Sequence, residues 1–432
     1  MTAKAVQRSD FTGTDVVLLG VGVETLSVLP HLAPLDVGAL RIVETARPTA
    51  EQARQLEDNG IDSESLLAEV PDSADVVLRS PGFPRHRPDV DALYEHARFG
   101  TTPTGLWLAA RGPRGTVVVT GTKGKSSTAT MIAAGLEHCG VPAFLAGNIG
   151  TAAWSHDPHR DGVAVVELSS YQGADLLTTG EVAVLTLLAD DHLDWHGSAA
   201  AYRHDKLRIL GPDPATPTSM VRLALEGEDL PAELGARVTR VSADGDYRHR
   251  NTALAVAAVR AELSALGAAL PDTDELTCVL DGHYPQLASR FEVVPSDDDI
   301  TWIDDALGSN PSATAAALER LAPGPAVLIC GGHDRGVTLD PVHTALTEWP
   351  ADALSVIWLG DADDHRVAEL AADPAVAGVE AVTSMAAAVK VAAAKAPAGS
   401  TVVFSPLAPT QRSMGNWADR SRAFRTAIDQ LG

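Results

Sequence analysis

The sequence has little cysteine, few basic side chains and no long apolar run. Its 432 residues include only Cys139, Cys278 and Cys330, with no CxxC pair. This spacing argues against a zinc ribbon or a disulfide framework and favours reduced thiols. No run of about 18 apolar residues predicts a membrane span, and the N-terminus lacks the apolar core of a signal peptide. We therefore expect a cytoplasmic protein with no membrane contact.

Positive charge is also scarce. The chain carries 33 lysines and arginines against 57 aspartates and glutamates, a formal net charge of −24. This balance argues against nonspecific binding to nucleic acid or to an anionic membrane, although a few cations and backbone N–H groups can still hold a phosphorylated ligand. The simplest meaning of the acidity is solubility. We expect a monomer that binds no nucleic acid.

Apolar runs alternate with helical stretches along the whole chain, as in "DVVLLGVGVETLSVLPHL". This alternation predicts the α/β class with parallel sheets. Breaks in the pattern divide the chain into three α/β domains in series, 1–113, 114–295 and 296–432.

The first unit contains part of a dinucleotide-binding pattern. Gly20-Val21-Gly22 follows a predicted strand, but the position of the third glycine is Thr25. Glu44 follows the next strand, where an acid that binds a ribose is expected. Two interpretations stay open: a nucleotide-type ligand, or tight packing of a strand on a helix.

The second unit opens on "VVVTGTKGKSST", residues 117–128. A standard P-loop has a glycine where this chain has Val119. The segment still has two glycines for close backbone approach, a strand-to-helix transition, Lys125 for the terminal phosphates and Ser126 for Mg²⁺. The alternative is an ordinary strand–helix turn, in which two lysines beside two glycines would be unusual.

Three further side chains are candidates for metal binding. Glu167 ends a strong predicted strand, and carboxylates at such ends point into the ligand crevice of a parallel sheet. His192 follows the next strand, and Lys206 lies on a predicted helix. Taken alone, His192 could be a packed core residue and Lys206 a solvated one; beside the phosphate loop, the metal interpretation gains weight.

The segments "TGTKGKSS", "GNIGT", "ELSSYQ", "DDHLDWH", "YRHDKLRI", "SRFE" and "GGHDRG" occur in this order. Together they resemble the Mur ligase family over nearly the full length, and the short loop is similar to that family's T-G-T-x-G-K-[ST] form. The resemblance implies the three-domain Mur ligase architecture. Its parts are a UDP-sugar-binding Rossmann-like domain, a central ATPase domain and a C-terminal Rossmann-like domain that binds the amino acid.

The implied activity is an ATP-dependent amide ligation in peptidoglycan synthesis. A carboxylate of UDP-N-acetylmuramoyl-L-alanine would attack the γ-phosphate of ATP, and the amine of glutamate would displace phosphate from the acyl phosphate. The resemblance also implies two Mg²⁺ sites and a carbamylated Lys206.

The implied catalytic residues are Lys125, Lys206, His192 and Glu167. The implied metal ligands are Ser126, Glu167, His192 and Lys206. The implied nucleotide contacts are Gly121, Thr122, Lys123, Gly124, Lys125, Ser126, Ser127, Asn251, Arg290 and Asp305. The implied substrate contacts are Gly22, Glu44, Ser80, Asn148, Ser309, Arg335, Thr410 and Trp417.

The sequence departs from the glutamate-adding branch of the family in several places. "DDALGSN" replaces N-D-S-K-A-T-N, which puts Leu307 at the lysine and Ser309 at the threonine. "SPLAPT" replaces "SPACAS", Trp417 stands where phenylalanine is common, and Arg248 replaces an asparagine. The changes cluster where the family holds adenine and the incoming amino acid.

These changes favour a changed acceptor. The enantiomers of glutamate exchange two groups around the amine, and an unpaired polar group costs about 10⁴-fold in recognition. We therefore expect L-glutamate, with His333, Asp334 and Arg335 as candidate contacts. The alternatives are a D-glutamate-adding ligase and a non-catalytic UDP-sugar-binding paralogue. A folylpolyglutamate synthase-like enzyme would lack the N-terminal domain, and a lipid II-amidating relative would carry four zinc-binding cysteines.

Overall fold

The computed structural model describes residues 10–149, 151–211, 220–245, 247–282, 289–296, 299–321, 324–334, 336–410 and 417–431. The chain forms two compact units, Met1–Pro285 and Gln286–Gly432. The first contains two parallel sheets and the second contains one mostly parallel sheet. The predicted α/β class is confirmed, while the domain boundaries at 113 and 295 stay predictions.

The first sheet has four parallel strands in the order β2-β1-β3-β4. Its strands are β1 (Asp15–Leu19), β2 (Ala39–Val43), β3 (Val76–Arg79) and β4 (Phe99–Thr101). Its helices are α1 (Val23–Leu32), α2 (Ala50–Asp58), α3 (Pro88–His96) and α4 (Pro103–Arg111). Apolar clusters cover both faces, as expected for a parallel sheet.

The second sheet has six parallel strands in the order β10-β9-β8-β5-β7-β6. Its strands are β5 (Thr116–Thr120), β6 (Ala143–Gly147), β7 (Val163–Glu167), β8 (Val182–Leu185), β9 (Val221–Leu225) and β10 (Thr239–Val241). Its helices are α5 (Lys125–His138), α6 (Ser170–Gly173), α7 (Leu193–His196), α8 (Ala199–Leu207), α9 (Ala232–Gly235), α10 (Tyr247–Leu266) and α11 (Thr273–Gly282).

The third sheet has the order β11-β12-β16-β13-β14-β15, in which only the β11–β12 pair is antiparallel. Its strands are β11 (Glu292–Val294), β12 (Thr301–Asp304), β13 (Ala326–Gly331), β14 (Leu354–Leu359), β15 (Val376–Val382) and β16 (Thr401–Leu407). Its helices are α12 (Pro311–Glu319), α13 (Asp340–Leu346), α14 (His365–Ala371), α15 (Met385–Lys395) and α16 (Trp417–Asp429).

Local sequence explains how the second sheet presents its ligand edge. The strand β5, "TVVVT", is buried along its whole length, which suits β-branched side chains in a central strand. The helix α8 begins after Ser198, whose hydroxyl accepts a hydrogen bond from the N–H of Ala201 at 3.1 Å. Among the described helices, none combines the length and the apolar character needed to cross a membrane.

Candidate active site

The phosphate loop, residues 121–126, connects the carboxyl end of β5 to the first turn of α5. Gly121 has φ 150° and Gly124 has φ 86°, and the latter precedes the first helical residue in a left-handed conformation. A Cβ atom at position 124 would lie 2.5 Å from Oδ1 of Asn251. Position 124 therefore requires glycine, and the predicted nucleotide contact Asn251 lies against the loop.

Neighbouring backbone fixes the loop. The N–H of Thr122 donates to the carbonyl of Leu187 at 2.6 Å, and the Thr186 hydroxyl donates to the carbonyl of Lys123. The Thr122 hydroxyl donates to the carbonyl of Ala189 at 2.7 Å. The side chain and the backbone N–H of Thr122 are thus both engaged in holding the loop, and its contact with a nucleotide stays a prediction.

Glu167 lies at the end of β7 and joins two other predicted residues. Its side chain is buried, at 1% exposure. Ser126 donates to Oε2 at 2.6 Å and Asn148 donates to Oε1 at 2.9 Å. Lys125, also in the first turn of α5, donates to the carbonyl of Thr122 at 3.3 Å. The structure therefore brings a cation, a hydroxyl, an amide and a carboxylate to one edge of the sheet.

Lys206 reaches the same loop from α8. Its ammonium group is buried and donates to the carbonyl of Gly121 at 2.9 Å. Burial holds the pKa of Lys206 well below its usual value, and the nearby charges of Lys125 and Lys123 add to that effect. A buried lysine with a lowered pKa is more often a neutral amine, which is the nucleophilic form.

His192 lies in the segment that follows β8. Its φ is 55°, and its N–H donates to Oδ1 of Asp191 at 2.9 Å. Its Nδ1 is 2.8 Å from the hydroxyl of Tyr171. The hydrogen bond at Nδ1 orients the ring, and Nε2 lies 3.8 Å from Oδ2 of Asp191.

The predicted UDP-binding residues of the first sheet also converge. The carboxylate of Glu44 accepts a hydrogen bond from the N–H of Val21 at 2.7 Å. A Cβ atom on Gly22 would collide with the hydroxyl of Ser80. Thr25 occupies the position of the missing third glycine. Its hydroxyl accepts a hydrogen bond from the N–H of Gly22 at 2.8 Å and donates one to the carbonyl of Gly20 at 2.7 Å.

In the second unit, the side chain of Asp305, a predicted nucleotide contact, accepts two hydrogen bonds from neighbouring segments. Its Oδ2 accepts from Ser405 at 2.8 Å and its Oδ1 accepts from the N–H of Phe291 at 3.1 Å. The Nε of Arg290 is buried and finds no hydrogen-bond partner among the described residues. A ligand that carries an acceptor would satisfy it.

The predicted acceptor contacts of the second unit are spread over three segments. The N–H of Ser309 donates to the carbonyl of Leu307 at 2.9 Å. His333 donates its N–H to the carbonyl of Pro409 at 2.9 Å, which puts it next to Thr410 in the fold. Trp417 begins α16 and is 43% exposed. Arg335 lies outside the described residues.

The positions that break the family pattern have local contacts. Arg248, at the start of α10, donates to the carbonyl of Asp281 at 2.6 Å, so it ties α10 to α11. The N–H of Leu307 donates to the carbonyl of Ser289 at 3.2 Å, and the Leu307 side chain is half-buried. Neither contact points to a ligand.

A buried cation, not predicted from the sequence, lies beside Ser80. Arg79, at 0% exposure, donates to Oδ2 of Asp175 at 2.6 Å and to the carbonyl of Tyr171 at 2.6 Å. It also donates to the carbonyls of three residues in the 80–83 segment. A signal was present, because an arginine ends the otherwise apolar strand "VVLR". Arg79 therefore connects the candidate UDP-binding segment to the helix α6.

Comparison with known proteins agrees with these observations. The profile of the Mur ligase middle domain matches residues 119–258, and that of the Mur ligase glutamate ligase domain matches residues 289–407. A UDP-N-acetylmuramoyl-L-alanine–L-glutamate ligase from Micromonospora sp. is 32% identical over 98% of this chain and 98% of its own. A UDP-N-acetylmuramoylalanine–D-glutamate ligase from Symbiobacterium thermophilum is 26% identical over 96% and 97%.

Solved structures give the same fold. A MurF ligase from Thermotoga maritima in complex with ADP has a TM-score of 0.55 at 13% identity, over 99% of this chain and 97% of that one. The fold, the site and the full-length relatives together define a ligase, an enzyme of peptidoglycan biosynthesis. The chain belongs to the Mur ligase family.

Proposed function

We propose that this ligase uses ATP to join L-glutamate to UDP-N-acetylmuramoyl-L-alanine. The observation that carries the proposal is the cluster of Lys125, Ser126, Glu167, Asn148 and Lys206 around a glycine-containing loop at one sheet edge. The name of the Micromonospora relative, which aligns end to end, supports the substrate pair.

The chemistry begins with the substrate carboxylate. A carboxylate oxygen is a poor leaving group, so an amine cannot displace it directly. Attack of that oxygen on the γ-phosphate of ATP forms an acyl phosphate and releases ADP. The glutamate amine then attacks the acyl carbon, and inorganic phosphate leaves with the original carboxylate oxygen.

Lys125 and the loop stabilise the first step. Charge accumulates on the transferring oxygens in the transition state, and fixed cations and N–H dipoles near those oxygens lower the barrier. The N–H groups in the first turn of α5 are such dipoles. Lys125, which already lies over the loop at Thr122, would swing to the terminal phosphates.

The donor set fits Mg²⁺. The ion prefers oxygen ligands, and Ser126 and Glu167 bring a hydroxyl and a carboxylate oxygen within 2.6 Å of each other. The Ser126 hydroxyl donates a hydrogen bond to Glu167, so its oxygen lone pairs face away from that bond and suit a cation. We propose these two residues, with Nε2 of His192, as ligands; a bound ion would neutralise phosphate charge.

Lys206 is proposed to be carbamylated. A neutral amine attacks CO₂ to form a carbamate and release a proton, and the lowered pKa of buried Lys206 favours that neutral form. The product is an anionic oxygen ligand instead of a cation. This change would relieve the repulsion that Lys125 and Lys123 exert on the ammonium group.

We propose the residues around Gly22, Glu44 and Ser80 for the UDP-sugar, because their backbone and side chains converge after β1, β2 and β3. The three predicted domains, 1–113, 114–295 and 296–432, would then carry the UDP-sugar, ATP and amino-acid sites in that order. L-Glutamate is preferred as acceptor because the departures at Leu307, Ser309 and Trp417 fall in the predicted acceptor region.

The test is a parallel assay of ADP release and of product mass. Purified protein receives ATP, Mg²⁺ and UDP-N-acetylmuramoyl-L-alanine with either L- or D-glutamate, and Lys125→Ala serves as the inactive control. We expect product with L-glutamate. Product with D-glutamate alone would reject the proposed acceptor, and no substrate-dependent ADP release with either enantiomer would favour the non-catalytic paralogue.

A further inference from the structure

Two histidines and an aspartate meet within the first unit, and the proposed ligation uses none of them. His86 lies in the segment between β3 and α3, His196 is the last residue of α7, and Asp205 lies on α8. Nε2 of His86 is 3.0 Å and Nδ1 of His196 is 2.9 Å from the same carboxylate oxygen, Oδ2 of Asp205. One ligand atom from each residue lies within 4.8 Å of the others.

This donor set suits a transition metal. Two imidazole nitrogens and one carboxylate oxygen are typical ligands of Zn²⁺ and Co²⁺, whereas Mg²⁺ favours sites in which oxygen ligands predominate. Ligand atoms of a tetrahedral ion with bonds of about 2.0–2.1 Å lie roughly 3.3 Å apart. The two observed N–O separations are therefore only a few tenths of an ångström shorter than a bound ion needs.

The buried histidine is already held in the orientation of a ligand. Nε2 of His196 is 3.0 Å from the hydroxyl of Ser170, so its Nδ1 faces Asp205. An outer hydrogen bond on the second ring nitrogen is the usual companion of a metal-bound histidine. Burial lowers the pKa of His196, although its hydrogen bond to Asp205 opposes that change, and the neutral ring is the form that binds metal.

Access and completion of the site come from its outer side. The side chain of His86 is 38% exposed, while those of His196 and Asp205 are 0% and 4% exposed. An ion could enter past His86 and keep water as a fourth ligand. Nδ1 of His204 lies 3.2 Å from Oδ1 of Asp205 and is the alternative to water as the fourth ligand.

We propose that His86, His196 and Asp205 bind a transition-metal dication of the Zn²⁺ class, separately from the Mg²⁺ ligands at the phosphate loop. In the metal-free protein, ring N–H groups donate to Oδ2 of Asp205. Binding would shift each ring proton to the other ring nitrogen, which for His196 is Nε2 beside the hydroxyl of Ser170, and would place the ion between the three ligand atoms. Because His86 and Asp205 are 119 residues apart, the ion joins the segment before α3 to the helix that carries Lys206.

The test uses full-length protein stripped with a chelator and titrated with Co²⁺ or Zn²⁺ in excess Mg²⁺. We expect stoichiometric binding, an intense visible Co²⁺ spectrum typical of a four-coordinate ion, and a raised melting temperature. His86→Ala removes an exposed ligand without disturbing the core and should weaken binding at least about tenfold. His96→Ala, in which an exposed α3 histidine is removed, is the matched control and should bind as the parent does.

Glu167→Gln separates this site from the phosphate-loop site and should retain Co²⁺ binding and the spectrum. The proposal is overturned if neither metal binds in excess Mg²⁺, or if His86→Ala binds as tightly as the parent. It is equally overturned if Glu167→Gln, and not His86→Ala, abolishes the spectrum. Because none of these measurements uses ligation, they can fail while the proposed activity stands.

Discussion

Arg79 offers the sharpest mutational test of how the first unit is held together. Its buried guanidinium pairs with Asp175 and bonds to carbonyls of Tyr171 and the 80–83 segment. Arg79→Met keeps most of the apolar volume but removes every one of these donors. The carboxylate of Asp175, whose side chain is 2% exposed, then lacks its main partner.

The expected loss of stability follows from those contacts. Removing one partner of a buried ion pair costs about 3–5 kcal/mol, because a desolvated charge remains. Asp175 keeps Arg85 at 2.8 Å and Tyr94 at 3.1 Å, which moderates the loss. The carbonyls that lose their hydrogen bond to Arg79 add to the loss of stability, since an unsatisfied buried acceptor costs about 1–3 kcal/mol. We expect a total of at least about 4 kcal/mol, a large fraction of the roughly 5–15 kcal/mol that stabilises a typical domain.

The assay is urea unfolding of Arg79→Met, of Asp175→Leu and of the double variant. Replacing both partners leaves no unpaired buried charge. The double variant should therefore lose less stability than the sum of the two single losses, and the difference, the coupling energy, should be about 1–3 kcal/mol. Arg54→Met, on a solvent-exposed pair with Glu51, is the control and should leave the urea midpoint nearly unchanged. Because Arg79 holds the segment after Ser80, the KM for UDP-N-acetylmuramoyl-L-alanine should rise more than kcat falls in any folded Arg79 variant. A loss below about 1 kcal/mol for Arg79→Met, or no coupling, would refute the reasoning.

Three further predictions concern lysines and a buried acid. Lys125→Ala should reduce kcat about 10²–10³-fold while the protein stays folded by circular dichroism, since it removes a cation from the transition state; unchanged turnover contradicts this role. Lys206→Ala should lose nearly all turnover and regain part of it with added small carboxylic acids, and full activity without them would reject the carbamate. Glu262 is fully buried, its oxygens have no hydrogen-bond partner among the described residues, and burial raises its pKa from 4.5 to about 7. Between pH 4.5 and about 7 the unfolded chain has lost a proton that the folded chain keeps, so the free energy of unfolding falls as pH rises, by about 3 kcal/mol in all. Urea denaturation of Glu262→Gln should show a weaker fall over this range. An identical pH dependence in the variant and the parent would contradict the assignment.

The sequence predicted the phosphate-loop side of the site because its geometry is local. Gly121 to Ser126 follow one buried strand, and Glu167 ends the strand beside it. The carboxyl ends of adjacent parallel strands meet at one edge, so strand ends alone indicated that these residues approach each other. The predicted α/β class with parallel sheets rested on the same alternation of strands and helices.

Contacts between distant segments could not be predicted in this way. Arg79 and Asp175 are 96 residues apart, and neither hydropathy nor spacing identifies which charges will be buried together. The burial of Asp205 was equally impossible to predict, since an aspartate before a helical lysine is usually solvated. At Thr25 the missing third glycine weakened the nucleotide interpretation, yet the structure uses that hydroxyl to bond Gly22 and Gly20 at the turn.

The measurement that tests the central claim most directly is transfer of oxygen from substrate to phosphate. UDP-N-acetylmuramoyl-L-alanine labelled with ¹⁸O in the terminal carboxylate is incubated with the enzyme, ATP and L-glutamate, and the released phosphate is analysed by mass spectrometry. An acyl phosphate predicts that each phosphate carries a single labelled oxygen, because the attacking carboxylate oxygen leaves with it. Amide product accompanied by unlabelled phosphate would contradict the account.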